Sequence, residues 1–383
     1  MLRTRHALAA ACFLLSAGLA HAQQVTAMIA VEPTSKKDSL AVVTAIVESA
    51  LSKATGKVAK VSINEDLTDV MRATRTGEVD IYIAPPQVAA SALSRGYELI
   101  GSTNPMEQYV LVTRRDSSTV SALGGRRLYL PQQDSVYSYV ARGMLNAAGL
   151  SFQNLQVEFA RWPSAGLIAV DMGVFDATVV RQTEWDDWVK SRGRALHAVS
   201  TSIPVPGGLS VVVRKTLPEK SREKLARWFA TNATSSGLKA VTERPDMSMY
   251  KAVAELGYFT PNSLPGAEVV TAADVRRLVA EGAVIVDTRS EKEYKAKRIP
   301  QAVFVPYHEK SLKDVAFDFA KDDFRDLAKL DKEKPTIFSC NGAECWKSYK
   351  ASKAAVAAGF KKVYWFRGGL PEWEGTGLQV AQN

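Results

Sequence analysis

Apolar residues alternate with two periods along the first two thirds of the chain. Val25 to Val31 has the short apolar character of a strand, and Asp38 to Ala54 has helical spacing followed by Gly56. Ala59 to Ile63 is strand-like. Asp66 to Thr76 is helical and stops at Gly77. Val79-Asp-Ile-Tyr-Ile-Ala84 is a second strand, ended by Pro85 and Pro86. Tyr109 to Arg114 and the segment Ser121 to Leu130 add two strands, the latter entered through a Gly-Gly turn. A helix from Ser135 onward stops at Gly149, and Phe175-Asp-Ala-Thr-Val-Val180 repeats the pattern of Val79–Ala84. In both repeats a helix candidate and a glycine (Gly77, Gly173) come just before the strand, so the spacing predicts two lobes built alike from an open α/β sheet. Gln182 to Trp188 opens a helix whose two tryptophans suit core packing. Ile203-Pro-Val-Pro-Gly-Gly208 is expected to be a turn or hinge before a return strand, Leu209 to Val213, and Pro218 to Leu238 an amphipathic helix.

The periodicity breaks at 259–267, where two prolines and a glycine interrupt it, and this is the expected linker. A second domain, 268–383, follows. Thr271-Ala-Ala-Asp274 starts a helix through Ala280 with the pattern of a capping box. Ala283 to Asp287 is a buried strand that ends in Thr288 and Arg289. Thr336-Ile-Phe-Ser339 is another. It breaks at Cys340 into the loop Asn341-Gly-Ala-Glu344, then Cys345 and a helix from about Trp346 to Ala358 that stops at Gly359. A cysteine thus stands where a strand hands over to a helix. Loop and helix N-terminal N–H groups favour negative charge there and lower a thiol pKa. Lys347 and Lys350 add positive charge nearby.

Composition and charge narrow the picture. With 46% hydrophobic and 23% charged residues the chain can bury a sizeable core. Net charge is +9, two units of it from Arg3 and Arg5, with no clustered basic arm, which argues against nucleic acid as a partner. Residues 1–22 have the layout of a secretory signal: Arg3 and Arg5, an apolar middle from Leu8 to Leu19, and Ala20-His21-Ala22 before Gln23. The expected mature protein, from residue 23, is periplasmic and not membrane-spanning, since no later segment is apolar for long enough to span. Cys12 lies in the leader, leaving Cys340 and Cys345. No metal is expected, because His197, His308 and the cysteines lack ligand spacing, and no cofactor is implied.

Two resemblances follow from the motifs. Gly77-Glu-Val-Asp80-Ile, Leu123-Gly-Gly-Arg-Arg-Leu, Asp134-Ser135-Val-Tyr-Ser138-Tyr and Gly173-Val-Phe-Asp176-Ala make residues 23–258 resemble periplasmic solute-binding proteins of the phosphonate type (type 2), the binding components of ABC transporters. That implies two lobes, a ligand cleft and a small anionic ligand. Ser135 and Ser138, at a helix start, are candidates to hold the anion, and helix capping explains them equally well. Tyr82, Tyr137, Tyr139 and Arg181 are further cleft candidates for which ordinary packing is the simpler account.

In the second domain, Asp287-x-Arg289, Glu293-Tyr294, Ile299-Pro-x-Ala302, the strand–Cys340 loop and Arg367-Gly-Gly-x-x-x-Trp373 resemble the rhodanese domain, in the Cys-x-x-x-x-Cys-Trp form of the loop. Gln301 replaces a glycine of that pattern. The resemblance implies a rhodanese-like parallel α/β fold and sulfur transfer through a Cys340 persulfide, from a sulfane-sulfur donor to a thiol or other nucleophilic acceptor. The N–H groups of Asn341, Gly342, Ala343, Glu344 and Trp346 would cradle the charge, with Lys347 and Arg289 beside them, although Arg289 and Asp287 suit a structural role better. Cys345 would resolve the persulfide as a disulfide or pack beside Trp346. Two other readings stay open: a receptor with a non-catalytic rhodanese-like interaction domain, and a thiol redox protein using Cys340 and Cys345.

Overall fold

The computed structural model describes residues 24–32, 38–114, 119–192, 195–232, 238–241 and 246–382. The signal-like segment 1–22 lies outside them. The chain forms two compact units. The first comprises the described residues up to Val70, Gly77–Gln108 and Pro204–Lys251, and the second comprises Met71–Thr76, Tyr109–Ile203 and the chain from Ala252 on.

The elements β1 (Gln24–Ala30), α1 (Asp38–Thr55), β2 (Val58–Asn64), α2 (Leu67–Thr76) and β3 (Ile81–Ala84) follow the expected alternation and belong to the first unit, apart from Met71–Thr76 of α2. Two elements beyond Pro85 were not anticipated. Pro86 does not end structure but opens helix α3 (Pro86–Leu93), because a proline at the first helical position loses no hydrogen bond. Strand β4 (Tyr97–Glu107) then enters the sheet. In the second unit come β5 (Tyr109–Arg114), β6 (Arg127–Leu130), α4 (Val136–Ala147), β7 (Gln156–Phe159), α5 (Gly166–Asp171), β8 (Ala177–Arg181), α6 (Gln182–Arg192) and β9 (Leu196–Thr201). The chain returns to the first unit as β10 (Val205–Arg214) and α7 (Glu219–Asn232), and α8 (Met247–Glu255) follows. From Val205 on, the expected turn at 203–208 is instead part of β10. Register shifts between Val205 and Ser210 absorb the Pro-Gly-Gly sequence, so the glycines bend a continuing strand. Both glycines are needed there, because a Cβ at Gly207 would overlap the Asn104 side chain, and one at Gly208 that of Thr103.

The two sheets have the same order, β2-β1-β3-β10-β4 and β7-β6-β8-β5-β9, with the first three strands of each parallel and the fourth antiparallel to both its neighbours. The repeated Gly-x-x-Asp explains part of the likeness. Gly77 and Gly173 take φ of +66° and +74°. Three residues later Asp80 Oδ2 accepts the Thr26 N–H, and Asp176 Oδ2 accepts the Arg127 N–H, both at 2.9 Å. Each aspartate therefore ties its strand to the start of the preceding parallel strand. The Arg127 guanidinium, hydrogen-bonded to Asp176, holds that carboxyl below its ordinary value.

The C-terminal domain is a five-stranded parallel sheet, β11 (Glu268–Val269), β15 (Val363–Phe366), β14 (Thr336–Ser339), β12 (Val284–Asp287) and β13 (Val303–Phe304), in that spatial order. Helices α9 (Ala272–Ala280), α10 (Glu291–Ala296), α11 (Trp346–Ala357) and α12 (Gly369–Gly375) complete it. Both faces are covered, as strand alternation requires. Ile285 and Ile337 share one cluster with Val275, Leu278, Leu370 and Trp373, and Val286 and Phe338 share the other with Ala351, Ala354 and Ala355. The expected capping box is present, with Thr271 and Asp274 reciprocally bonded at the start of α9. Gln301 takes φ +64°, a conformation that costs a non-glycine residue about 1 kcal/mol. Among the described residues no helix is long and apolar enough to cross a membrane.

Candidate functional site

In a parallel sheet the loops that follow the strands' carboxyl ends gather on one edge. Here that edge collects Asp287 after β12, Cys340 after β14 and Arg367 after β15. Cys340 and Cys345 are joined by a disulfide, five positions apart in sequence, with Cα atoms 6.1 Å apart. Gly342 at φ +89° supplies the turn between them, and the Cys345 N–H donates to the Gly342 carbonyl at 2.9 Å. Cys345 is the N-cap of α11. Cys340 is 1% and Cys345 7% exposed, yet neither belongs to the apolar clusters on either face of the sheet. The Cys340 carbonyl accepts the Leu370 N–H at 2.9 Å. Among the described residues the N–H groups of Asn341, Gly342 and Ala343 meet no backbone acceptor.

The Arg-Gly-Gly sequence matters for this loop. Gly369 takes φ +56°, and a Cβ there would overlap the Cys340 carbonyl. Gly369→Ala is therefore expected to cost at least about 1–2 kcal/mol and to displace the cysteine loop. Chemical denaturation of the variant checks the first effect, and the rate of Cys340 alkylation after reduction checks the second.

A buried polar network holds the loop's first residue. Arg289, 3% exposed, donates through Nε and Nη2 to the Asp287 carboxylate at 2.7–3.1 Å and through Nη2 to the Lys297 carbonyl at 2.6 Å. Its Nη1 donates to Asn341 Oδ1 at 3.2 Å, and Asn341 Nδ2 donates to Glu293 Oε1 at 2.6 Å. Arg289 is thus fully engaged within the protein and orients Asn341. Glu293 closes the capping box of α10 with Ser290, and Arg72, in the middle of α2, lies 3.7 Å from it. Burial works to raise the Glu293 carboxyl, but hydrogen bonds from Ser290, the Arg72 charge and the bond from Asn341 hold it below its ordinary value.

The remaining loop residues are also placed. Ala343 O accepts both the N–H and the hydroxyl of Thr260 at 2.8 Å. Trp346 is buried and donates Nε1–H to the Tyr258 carbonyl at 2.7 Å. Arg367 donates to the carbonyls of Pro261 and Thr260. Segment 258–261 is consequently bonded along the cysteine loop. Glu344 and Lys347 are partly buried. Burial pushes the Lys347 ammonium below its ordinary value, opposed by Glu293 and Glu309, while Arg75 and Arg72 reinforce the lowering. Lys350 does not add charge to the loop as expected. It is fully buried and paired with Glu309 at 2.7 Å and Asp322 at 3.7 Å, because its place on α11 turns it toward the 309–322 segment.

Ser135 and Ser138 are both fully buried at the start of α4. Ser135 Oγ caps the helix by accepting the Ser138 N–H at 3.2 Å, and Ser138 Oγ donates to the Gln132 carbonyl. Both are therefore capping residues, and the next residue back, Asp134, forms a buried ion pair with Lys313 of the C-terminal domain. Tyr139 and Tyr258 pack edge to face at 5.4 Å, and burial raises both phenols well above their ordinary value. Tyr82 and Tyr137 are core residues, Tyr137 lying against Tyr109 at 5.1 Å and under the Arg181 guanidinium at 5.3 Å. Trp185 and Trp188 pack on the β5–β8 core, and Trp185 also lines an open cavity of about 580 Å³ with Lys190 and His197.

Three contributors were not anticipated: Tyr258 and Thr260 as backbone partners of the loop, and Arg72. Glu293 carried a readable signal, the Ser290-x-x-Glu293 capping pattern. Arg72, 221 positions before Glu293, carried none.

Residues 29–256 match the family described as ABC transporter, phosphonate, periplasmic substrate-binding protein, which is more than half of the chain. The chain belongs to that family. Residues 271–376 match the rhodanese-like domain, so this phosphonate-type binding protein is a fusion. Similar solved structures include PhnD1 from Prochlorococcus marinus in complex with methylphosphonate, 16% identical, covering 61% of this chain and 97% of that one, with a TM-score of 0.48. XAC2383 from Xanthomonas citri bound to ATP is 18% identical, covering 61% and 95%, with a TM-score of 0.49. The BH2092 protein from Bacillus halodurans is 26% identical, covering 30% and 77%, with a TM-score of 0.25. No curated protein matches the chain.

Proposed function

We propose that this binding protein is an exported, periplasmic sulfurtransferase that carries a sulfane sulfur on Cys340, joined to a binding domain for a small anion. The observation that carries the reading is the placement of Cys340 at the carboxyl end of β14, in a loop anchored through Asn341 and Arg289 whose Asn341, Gly342 and Ala343 N–H groups meet no backbone acceptor among the described residues. Such amides stabilise a thiolate or persulfide anion. After reduction of the disulfide, the Cys340 thiolate attacks the outer sulfur of a donor such as thiosulfate. A Cys340–sulfur bond forms, the sulfur–sulfur bond of the donor breaks, and sulfite leaves with the electron pair. A nucleophile then takes the outer sulfur and restores the thiolate. Lys347, one residue into α11 beyond Trp346, balances the charge of the donor. The family match supports a small anionic ligand for the first domain.

The test is the reduced protein with thiosulfate as donor and cyanide as acceptor. Thiocyanate and sulfite should both form. Absence of both, with the protein folded and Cys340 reduced, would leave the C-terminal domain as an interaction module.

A further inference from the structure

We infer that Cys345 is a resolving cysteine, so that the domain reduces sulfane sulfur to hydrosulfide instead of only passing it on. The inference rests on the Cys340 persulfide reading and adds the fate of its sulfur. Its basis is the bond between the two Sγ atoms. The loop is folded for that bond. Gly342 at φ +89° turns the chain, the Cys345 N–H closes the turn on Gly342 O, and the two Cα atoms stand 6.1 Å apart, within the ordinary range for a disulfide. The loop is also fixed at both ends, by Arg289 on Asn341 and by Tyr258 on Trp346, so Cys345 does not have to travel to reach Cys340.

Where Cys345 reaches decides the chemistry. A thiolate that met only the outer sulfur of the persulfide would move that sulfur to itself and leave no disulfide. A thiolate that meets the inner sulfur, Sγ of Cys340, expels the outer one. The bonded atoms here are the two Sγ atoms, so Cys345 reaches the inner sulfur, as that attack requires. Cys345 also stands at the N-cap of a twelve-residue helix, where the helix dipole favours its thiolate. The step is therefore Cys345 thiolate on Cys340 Sγ: the Sγ–Sγ bond forms, the bond to the outer sulfur breaks, and that sulfur leaves as hydrosulfide with the electron pair and the persulfide's proton. The sulfane sulfur gains two electrons and the cysteine pair loses two. A dithiol reductant returns the pair to two thiols by exchange, itself becoming a disulfide.

The experiment is a single turnover of the full chain, reduced, freed of reductant and mixed with thiosulfate without acceptor. The wild type should release sulfite and hydrosulfide in equal amounts and end with the intact mass of the disulfide form, with no sulfur retained. Cys345→Ser should release sulfite, retain one sulfur atom on Cys340, and yield at least tenfold less hydrosulfide. Sulfite release by a wild type that keeps the sulfur and frees no hydrosulfide overturns the resolving role and leaves the sulfur carrier standing. No sulfite from either protein removes the carrier, and the resolving role with it.

Discussion

Cys340→Ser is expected to lower sulfite release from thiosulfate by about a thousandfold or more, the scale on which loss of a catalytic nucleophile acts. Serine keeps the volume and the backbone of the loop. It lacks an ionisable thiol, and its hydroxyl stays neutral where a thiolate would form. The replacement removes the disulfide to Cys345, as reduction does, and should leave the fold intact because backbone contacts also hold position 340: its carbonyl accepts the Leu370 N–H and lies against Gly369. The measurement is sulfite release per chain under single-turnover conditions, with circular dichroism to confirm folding. A variant that forms sulfite as fast as the wild type would remove Cys340 from the chemistry, whatever its place in the loop.

The second large effect concerns Arg289. Arg289→Ala should destabilise the C-terminal domain by about 3–5 kcal/mol, the usual cost of leaving one partner of a buried ion pair alone. Asp287 would lose its cationic partner in a site where its side chain is 6% exposed, and Asn341 and the Lys297 carbonyl would each lose a donor. Arg289→Lys restores the charge but cannot reproduce the forked contact with Asp287, Asn341 and Lys297 together, so it should recover only part of the loss. Denaturant unfolding followed on the second unit, which contains the C-terminal domain, reads the stability. Kinetics separate positioning from substrate contact. A fall in kcat at nearly constant KM fits a residue that orients Asn341. A rise in KM alone would mean that the guanidinium meets the donor directly.

These expectations rest on features of different legibility. The two-lobed binding fold was readable because its elements are signalled locally: the Gly77-x-x-Asp80 and Gly173-x-x-Asp176 pair marks the same step in each lobe, helix, left-handed glycine, then an aspartate tying two parallel strands. The capping box at Thr271 and the glycine stop of α11 were readable for the same reason, since a cap involves residues only a few positions apart. The region after Pro85 misled because proline is a signal with two meanings, a strand end and a helix start, and only packing chooses between them. The Pro-Gly-Gly of β10 misled because a bulge and a turn draw on the same residues.

At the cysteine loop, the chain order of residues determined where Cys340 would sit, after a buried strand and before a helix, and which motifs would surround it. Those are short-range matters, decided by strand alternation, helix period and the conformational freedom of glycine. Only the tertiary structure decided that Cys345 bonds to Cys340, that Arg289 serves Asn341, that Lys350 is turned away into Glu309 and Asp322, and that Tyr258, Thr260 and Arg72 come to the loop from far back in the chain. Each depends on which atoms the packed sheet and helices bring within bonding range, and local pattern carries no record of partners a hundred or two hundred positions away.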